Sequence, residues 1–176
     1  MRDSRQRMLD SAITLFRERG VAATSMRDVV EHSGAPRGSI YHHFPGGKDQ
    51  LAGEATAQAG AFIASLLVAL DSEGLDAFFD YWARALERAD FHDGCPVAAA
   101  ALTDESPAAR QEAGRAFERW QVLLAAAFVR RGTAPDRATA LATLVVASVE
   151  GGLVMARAQR SSEPLRRVEL LLRELV

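Results

Sequence analysis

At 176 residues the chain has room for one domain or two small ones, and its composition, 48% hydrophobic and 25% charged, matches an ordinary globular protein. That balance excludes disorder along the whole chain. The net charge of −2 is uneven: residues 1–50 hold eight Lys and Arg against six Asp and Glu, giving +2, and the rest holds thirteen against seventeen, giving −4.

Helical periodicity dominates from the start, with no convincing strand alternation. In SRQRMLDSAITLFRERG (4–20), Leu9, Ala12, Ile13 and Phe16 recur at helical spacing and Gly20 stops the helix. A second helix follows in TSMRDVVEHSG. Ser25 and Asp28 make a capping-box-like pair, Met26, Val29 and Val30 supply a buried face, and Gly34 closes it. The third, APRGSIYHHF, is expected to open at Pro36, a residue suited to the first helical position. Ile40 and Phe44, four apart, face inward. Pro45-Gly46-Gly47 then breaks the chain, and the domain boundary is placed there, giving 1–47 and 48–176. A long helix is expected over 48–70, marked by Leu51, Ala55, Phe62, Leu66, Leu67 and Leu70, with a break at Asp71-Ser72. Further helices are expected over 74–90, 95–103, 107–131, 135–160 and 163–175. The predicted fold class is all-α.

Two helices joined by a tight Gly-containing turn are the helix-turn-helix plan, whose second helix enters the DNA major groove. With Ile40 and Phe44 inward, Arg37, Gly38, Ser39, Tyr41 and His42 turn outward or partly so. Arg37 suits guanine or phosphate, and Ser39 suits a base edge or phosphate. Gly38 permits close backbone approach, and Tyr41 and His42 carry donors for phosphate oxygens. Lys48 is the chain's one lysine, and it stands where a helix begins, the wrong sign for that end of the helix dipole. An anion shared by the lysine and the helix end resolves the conflict, and a DNA phosphate is the favoured one. The alternative is a pairing with Asp49 or a nearby acid.

The run SMRDVVEHSGAPRGSIYHHFPGGKDQL (25–51) resembles the DNA-binding signature of the TetR/AcrR family of bacterial repressors. The matching features are the capped second helix, the Gly turn, Tyr41-His42-His43-Phe44, and Lys48 followed by Leu51. The resemblance implies an N-terminal three-helix DNA-binding domain and a larger helical domain that binds a small ligand and forms a homodimer on palindromic operator DNA. It extends Ser25 to the DNA-contacting set. GCPVAAAALTDES (94–106) and EGGLVMARAQRSSEPLRRV (150–168) are similar to the LmrA/YxaF-like branch of that family, whose members respond to drugs and flavonoids.

One short recognition helix per protomer calls for a dimer surface. The last two helices are rich in Leu, Val, Ala and Gly, and Leu144, Ala147, Gly151, Leu165, Val168 and Leu172 are assigned to it. The competing reading is that they close the protomer's own core. Phe62, Trp82, Phe117, Trp120, Glu150 and Met155 are the candidate lining of a cavity for a small, largely apolar effector. Aromatic residues of helical domains are more often plain core. Glu150 amid LVVASV and GGLVMA is costly unless paired or protonated. A satisfied buried hydrogen bond, or a salt bridge to Arg157 or another arginine, is the favoured account, with a ligand contact or a dimer switch second. Cys95, the single cysteine, precedes Pro96 at an apparent helix start, so a redox- or electrophile-sensing role is an alternative. A small buried thiol is the commoner reading.

An enzyme is the rival class. Adjacent His42 and His43 point about 100° apart on a helix and cannot share a metal, and no phosphate loop, dinucleotide fingerprint or nucleophile elbow is present. No catalytic residue, metal or cofactor is therefore assigned. An architectural DNA-binding module fits poorly with the acidic C-terminal part. MRDSRQRMLD lacks the apolar core of a signal peptide, and the apolar run 138–156 contains Glu150 and a Gly pair, so a cytoplasmic protein with a buried helix is expected.

Overall fold

The computed structural model describes residues 4–36 and 38–175, with backbone only for 70–75. Among the described residues every regular element is a helix: α1 Ser4–Arg19, α2 Met26–Ser33, α3 Ser39–His43, α4 Gly47–Arg88, α5 Pro96–Ala101, α6 Pro107–Arg130, α7 Pro135–Gln159 and α8 Glu163–Leu175. Two compact units emerge. One joins the chain up to Ala61 with Cys95–Ala116, and the other joins Phe62–Gly94 with the chain from Phe117 onward.

In the first unit, α1 buries Met8, Leu9, Ala12, Leu15 and Phe16. Val29 and Val30 of α2, Ile40 and Phe44 around α3, and Leu51, Ala52 and Ala55 of α4 belong to the same core. The end of α2 is held by Gly34 in the left-handed region at φ 62°, and Arg7 Nη1 donates to the Ser33 carbonyl at 3.2 Å. Arg5 pairs with Glu54 and lies over the Phe44 ring at 5.0 Å, tying α1 to α3 and α4.

This unit reaches beyond the expected boundary at residue 47, because α4 and α6 meet through small residues. A Cβ on Gly53 would stand 2.9 Å from Ala108 Cβ, and one on Gly60 would stand 2.7 Å from Ala116 Cβ. Only glycine allows backbones to approach so closely.

In the second unit, Phe78, Phe79, Trp82, Leu86, Trp120, Leu124, Val145, Val149 and Leu153 are buried. α8 folds back on α7, and Leu165 fills the notch at Gly152, where a Cβ would stand 2.9 Å from Leu165 Cδ2. The chain leaves α7 through Arg160, which is left-handed at φ 50° and pairs with Asp90 at 2.7 Å.

Two expectations about elements are corrected. The break at Asp71-Ser72 is absent: α4 is a single helix of 42 residues. Asp and Ser favour caps but cost only about 0.7 kcal/mol or less each inside a helix, and flanking helix on both sides outweighs that. The third helix begins at Ser39, not Pro36. Its start is a turn in which Ser39 N donates to the Pro36 carbonyl at 2.9 Å.

Candidate functional site

The capping box predicted at the start of α2 is present. Ser25 Oγ accepts from Asp28 N at 3.2 Å and donates to Asp28 Oδ2 at 2.7 Å, while Ser25 N donates to the same oxygen at 2.8 Å. These bonds, led by the one from Ser25 N, hold the Asp28 carboxyl below its ordinary value, with Arg19 at 3.1 Å assisting. The Ser25 hydroxyl is thus engaged in capping.

α3 is five residues long and buries Ile40, with Phe44 buried just after it. That packing turns Tyr41 outward, 64% exposed, with His42 and Gly38 also exposed and Ser39 half-buried. Ser39 Oγ donates to the Pro36 carbonyl at 2.7 Å. Arg37 lies outside the described residues. Tyr41 also borders a groove with Met26, Arg27, Val30, Glu31 and Ile40. Arg27 is a cation beside the outward face that sequence reasoning missed. It pairs with Glu31 at 2.9 Å, which raises its pKa through that hydrogen bond. The buried pair Val29 and Val30 was the available signal, since it points Arg27 to solvent.

Lys48 finds its anion inside the chain. Its Nζ donates to Glu105 Oε2 at 2.9 Å and to the Ala22 carbonyl at 3.1 Å. The acid-pairing alternative is therefore what the structure holds, with Glu105 as partner. Asp49 is engaged elsewhere, accepting from Ser106 Oγ at 2.7 Å and from Ala108 N at 3.0 Å to cap α6. The lysine is 28% and the glutamate 59% exposed. A pair so open to water is worth about 0–1 kcal/mol, little enough for a phosphate to displace.

In the second unit, one cavity lies between α4 (Ile63, Leu67, Phe78, Trp82), α6 (Trp120, Leu124) and α7 (Val145, Val146, Val149, Glu150). The cavity is small, about 20 Å³. Of the six expected lining residues, Trp82, Trp120 and Glu150 are there. Phe117 instead stacks edge-on against Trp120, with centroids 5.2 Å apart, and Phe62 and Met155 are exposed outside the cavity. Ile63, Leu67 and Phe78 of α4 also line it and were not in the expected set.

The faces of α7 and α8 sort the six residues assigned to the dimer. Leu144, Ala147 and Gly151 are exposed on one stripe of α7, which Val154 and Met155 extend. On α8, Leu165 and Leu172 are 1% and 3% exposed within the protomer, so they close its own core. Half-buried Val168 instead shares a helical face with exposed Leu171 and Leu175. The terminal helix thus uses one apolar face internally and leaves a second uncovered. α7 is long and apolar enough to span a membrane, yet 39% of its most apolar stretch is buried in the protein, and the exposed stripe accounts for much of the rest. Cys95 is buried at the N-cap of α5.

Comparison with known proteins places these features in a family. Residues 8–55 match the bacterial regulatory proteins of the tetR family, and residues 72–170 match the C-terminal domain of LmrA/YxaF-like transcriptional regulators. The chain is 42% identical to an uncharacterised HTH-type transcriptional regulator of Mycobacterium tuberculosis, Rv0196, over 100% of its own length and 95% of that protein's. A TetR transcriptional regulator from Legionella pneumophila superposes with a TM-score of 0.89 at 21% identity, over 100% of this chain and 98% of that one. The multidrug binding protein EbrR, solved in complex with proflavin, gives a TM-score of 0.62 at 27% identity, over 99% of this chain and 100% of that one.

Proposed function

The chain belongs to the TetR family of transcriptional regulators, and from that premise we propose that it is a ligand-responsive repressor that binds a palindromic operator as a homodimer in the cytoplasm. Its DNA-reading part is 1–47 together with Lys48, and the remainder binds the effector and dimerises. Gly38, Ser39, Tyr41 and His42 face the major groove. Lys48 and the capped start of α2 at Ser25 meet the phosphates that flank it. The observation that carries this reading is the arrangement of α3. Ile40 within it and Phe44 just after it are buried while Tyr41 stands 64% exposed.

The dimer brings two such helices roughly 34–36 Å apart, one turn of duplex. The uncovered stripes Leu144–Ala147–Gly151 on α7 and Val168–Leu171–Leu175 on α8 supply the contact, as facing helix pairs do in a four-helix interface. The effector is a largely apolar molecule held by Trp82, Trp120 and Glu150. The proflavin complex of EbrR supports a small-molecule site in this type of domain. α4 carries Lys48 near its start and Trp82 near its end. An effector that binds the two states of the dimer unequally lowers operator affinity by that difference and no more. Gel-shift titration with the DNA flanking the gene tests the proposal: an effector that binds tightly yet leaves operator affinity unchanged defeats it.

A further inference from the structure

α3 ends at His43 and α4 begins at Gly47, so Phe44-Pro45-Gly46 is the link between them. Both ends of this link are held by one chain of side chains. Gly46 N donates to Gln50 Oε1 at 2.8 Å, and Gln50 Nε2 donates to Glu54 Oε1 at 2.9 Å. Arg5 Nη2 donates to the other oxygen of that carboxylate, Glu54 Oε2. The Arg5 guanidinium in turn lies 5.0 Å from the centroid of the buried Phe44 ring, a cation–π contact. An amide has one accepting end and one donating end, so Gln50 serves a backbone N–H and a carboxylate at once only in this orientation.

The Arg5 and Glu54 side chains are 38% and 33% exposed, and a pair so open to water adds little to folding. α1 is held to α4 by other bonds as well: Gln6 Nε2 donates to Gln58 Oε1 at 3.0 Å, and Gln58 Nε2 donates to Asp10 Oδ1 at 3.2 Å. What the Arg5–Glu54–Gln50 chain adds is a fixed direction for α3 as it leaves α4. We infer that these three are positioning residues for DNA binding, which set the angle of α3 against α4 without touching the duplex. The inference rests on the DNA-reading role of α3 proposed above. A link fixed in advance spares the complex the entropy of ordering α3 on binding. The rival is that Arg5 is a phosphate contact which Glu54 holds back. The two differ in sign, because removing the Glu54 charge loosens the link in one case and frees a cation for DNA in the other.

Fluorescence anisotropy on the DNA flanking the gene, at several salt concentrations, separates them. Glu54→Gln keeps the shape and removes the charge, and it is expected to bind about tenfold more weakly than wild type with an unchanged salt slope. Gln50→Met, which cuts the chain at its middle, and Arg5→Met are expected to behave alike. Arg5→Lys keeps the cation and is expected to recover most of what Arg5→Met loses. Melting temperatures are expected to move little, and the Gly46 amide proton signal of the free protein is expected to shift in Glu54→Gln. Wild-type or tighter binding by Glu54→Gln would overturn the inference. So would a salt slope lower by about one in Arg5→Met, the mark of a lost phosphate contact. A loss of binding that merely follows a large loss of melting temperature would also overturn it. A wild-type protein that ignores this DNA removes the regulatory reading and this inference with it. One that binds the DNA while Glu54→Gln binds equally well keeps its function and loses only the positioning role.

Discussion

Lys48 Nζ stands 2.9 Å from Glu105 Oε2, and the next residue, Asp49, caps α6 through Ser106 and Ala108. The first turn of α4 thus holds two successive residues of the segment leading into α6, one by an exposed ion pair and one by a cap. The cap is the firmer tie, since a good N-cap contributes about 1 kcal/mol and an exposed ion pair about 0–1. The lysine is therefore available for exchange between Glu105 and a phosphate. Lys48→Ala is expected to weaken DNA binding about equally across sequences and to lower the salt slope by about one. Glu105→Gln is expected to strengthen binding several-fold, on the order of the exposed pair's ~0.5–1 kcal/mol. Fluorescence anisotropy at several salt concentrations measures both. Unchanged binding by Lys48→Ala would assign the lysine to internal pairing alone.

Tyr41→Ala is expected to weaken operator binding while leaving the dimer and its melting temperature unchanged. The side chain is 64% exposed, and substitutions at such positions usually alter stability by no more than about 0.5 kcal/mol. Sedimentation and thermal denaturation, run beside the gel shift, separate a lost contact from a lost fold.

The Gly60–Ala116 approach predicts a paired substitution. Gly60→Ala places a Cβ 2.7 Å from Ala116 Cβ, a clash with an atom that only backbone movement can relieve. A loss of about 1–3 kcal/mol is expected in urea denaturation. Adding Ala116→Gly removes the opposing methyl and is expected to restore part of that loss. Failure of the double variant to recover would mean that the two helices are held apart by something other than these two positions.

The cap on α2 gives a pH dependence. Asp28 is held below its ordinary value of 3.8, mainly by the hydrogen bond from Ser25 N. A carboxyl with a depressed folded pKa contributes stability above its unfolded value and loses it as pH falls through the folded one. Asp28→Asn is therefore expected to melt lower than wild type at pH 7. The gap narrows once pH drops below about 3.8, the unfolded value. Melting curves across that range check it, and a constant gap would contradict the assignment.

The two faces of α8 are expected to respond differently. Leu171→Glu charges the uncovered face and should shift the protein toward monomer with little loss of protomer structure. Leu165→Ala empties the notch at Gly152 and should cost about 2–5 kcal/mol of folding stability. Analytical ultracentrifugation and denaturation report the two outcomes.

How much was legible in the sequence follows from how local each signal is. The Ser25–Asp28 cap, the Gly34 turn and the inward pair Ile40 and Phe44 are fixed by neighbours a few residues apart, and they appear as read. Asp71-Ser72 was read as a stop, but the helix continues through both residues. Trp82 was read as a lining residue, but Ile63, Leu67 and Phe78 beside it were not, since only the packed helix shows which apolar positions face the cavity. The partner of Lys48 was out of reach, since Glu105 is far along the chain and nothing local pairs them. Leu165 and Leu172 are indistinguishable by type from Leu171 and Leu175. Only the packing of α8 on α7 decides which pair is covered.

The most direct test of the account is the stoichiometry and salt dependence of binding to the DNA flanking the gene. The account predicts two protomers on one palindromic site, affinity that falls steeply with salt, and a marked loss in Tyr41→Ala. A single protomer on DNA, or a complex indifferent to both sequence and Tyr41, would contradict it.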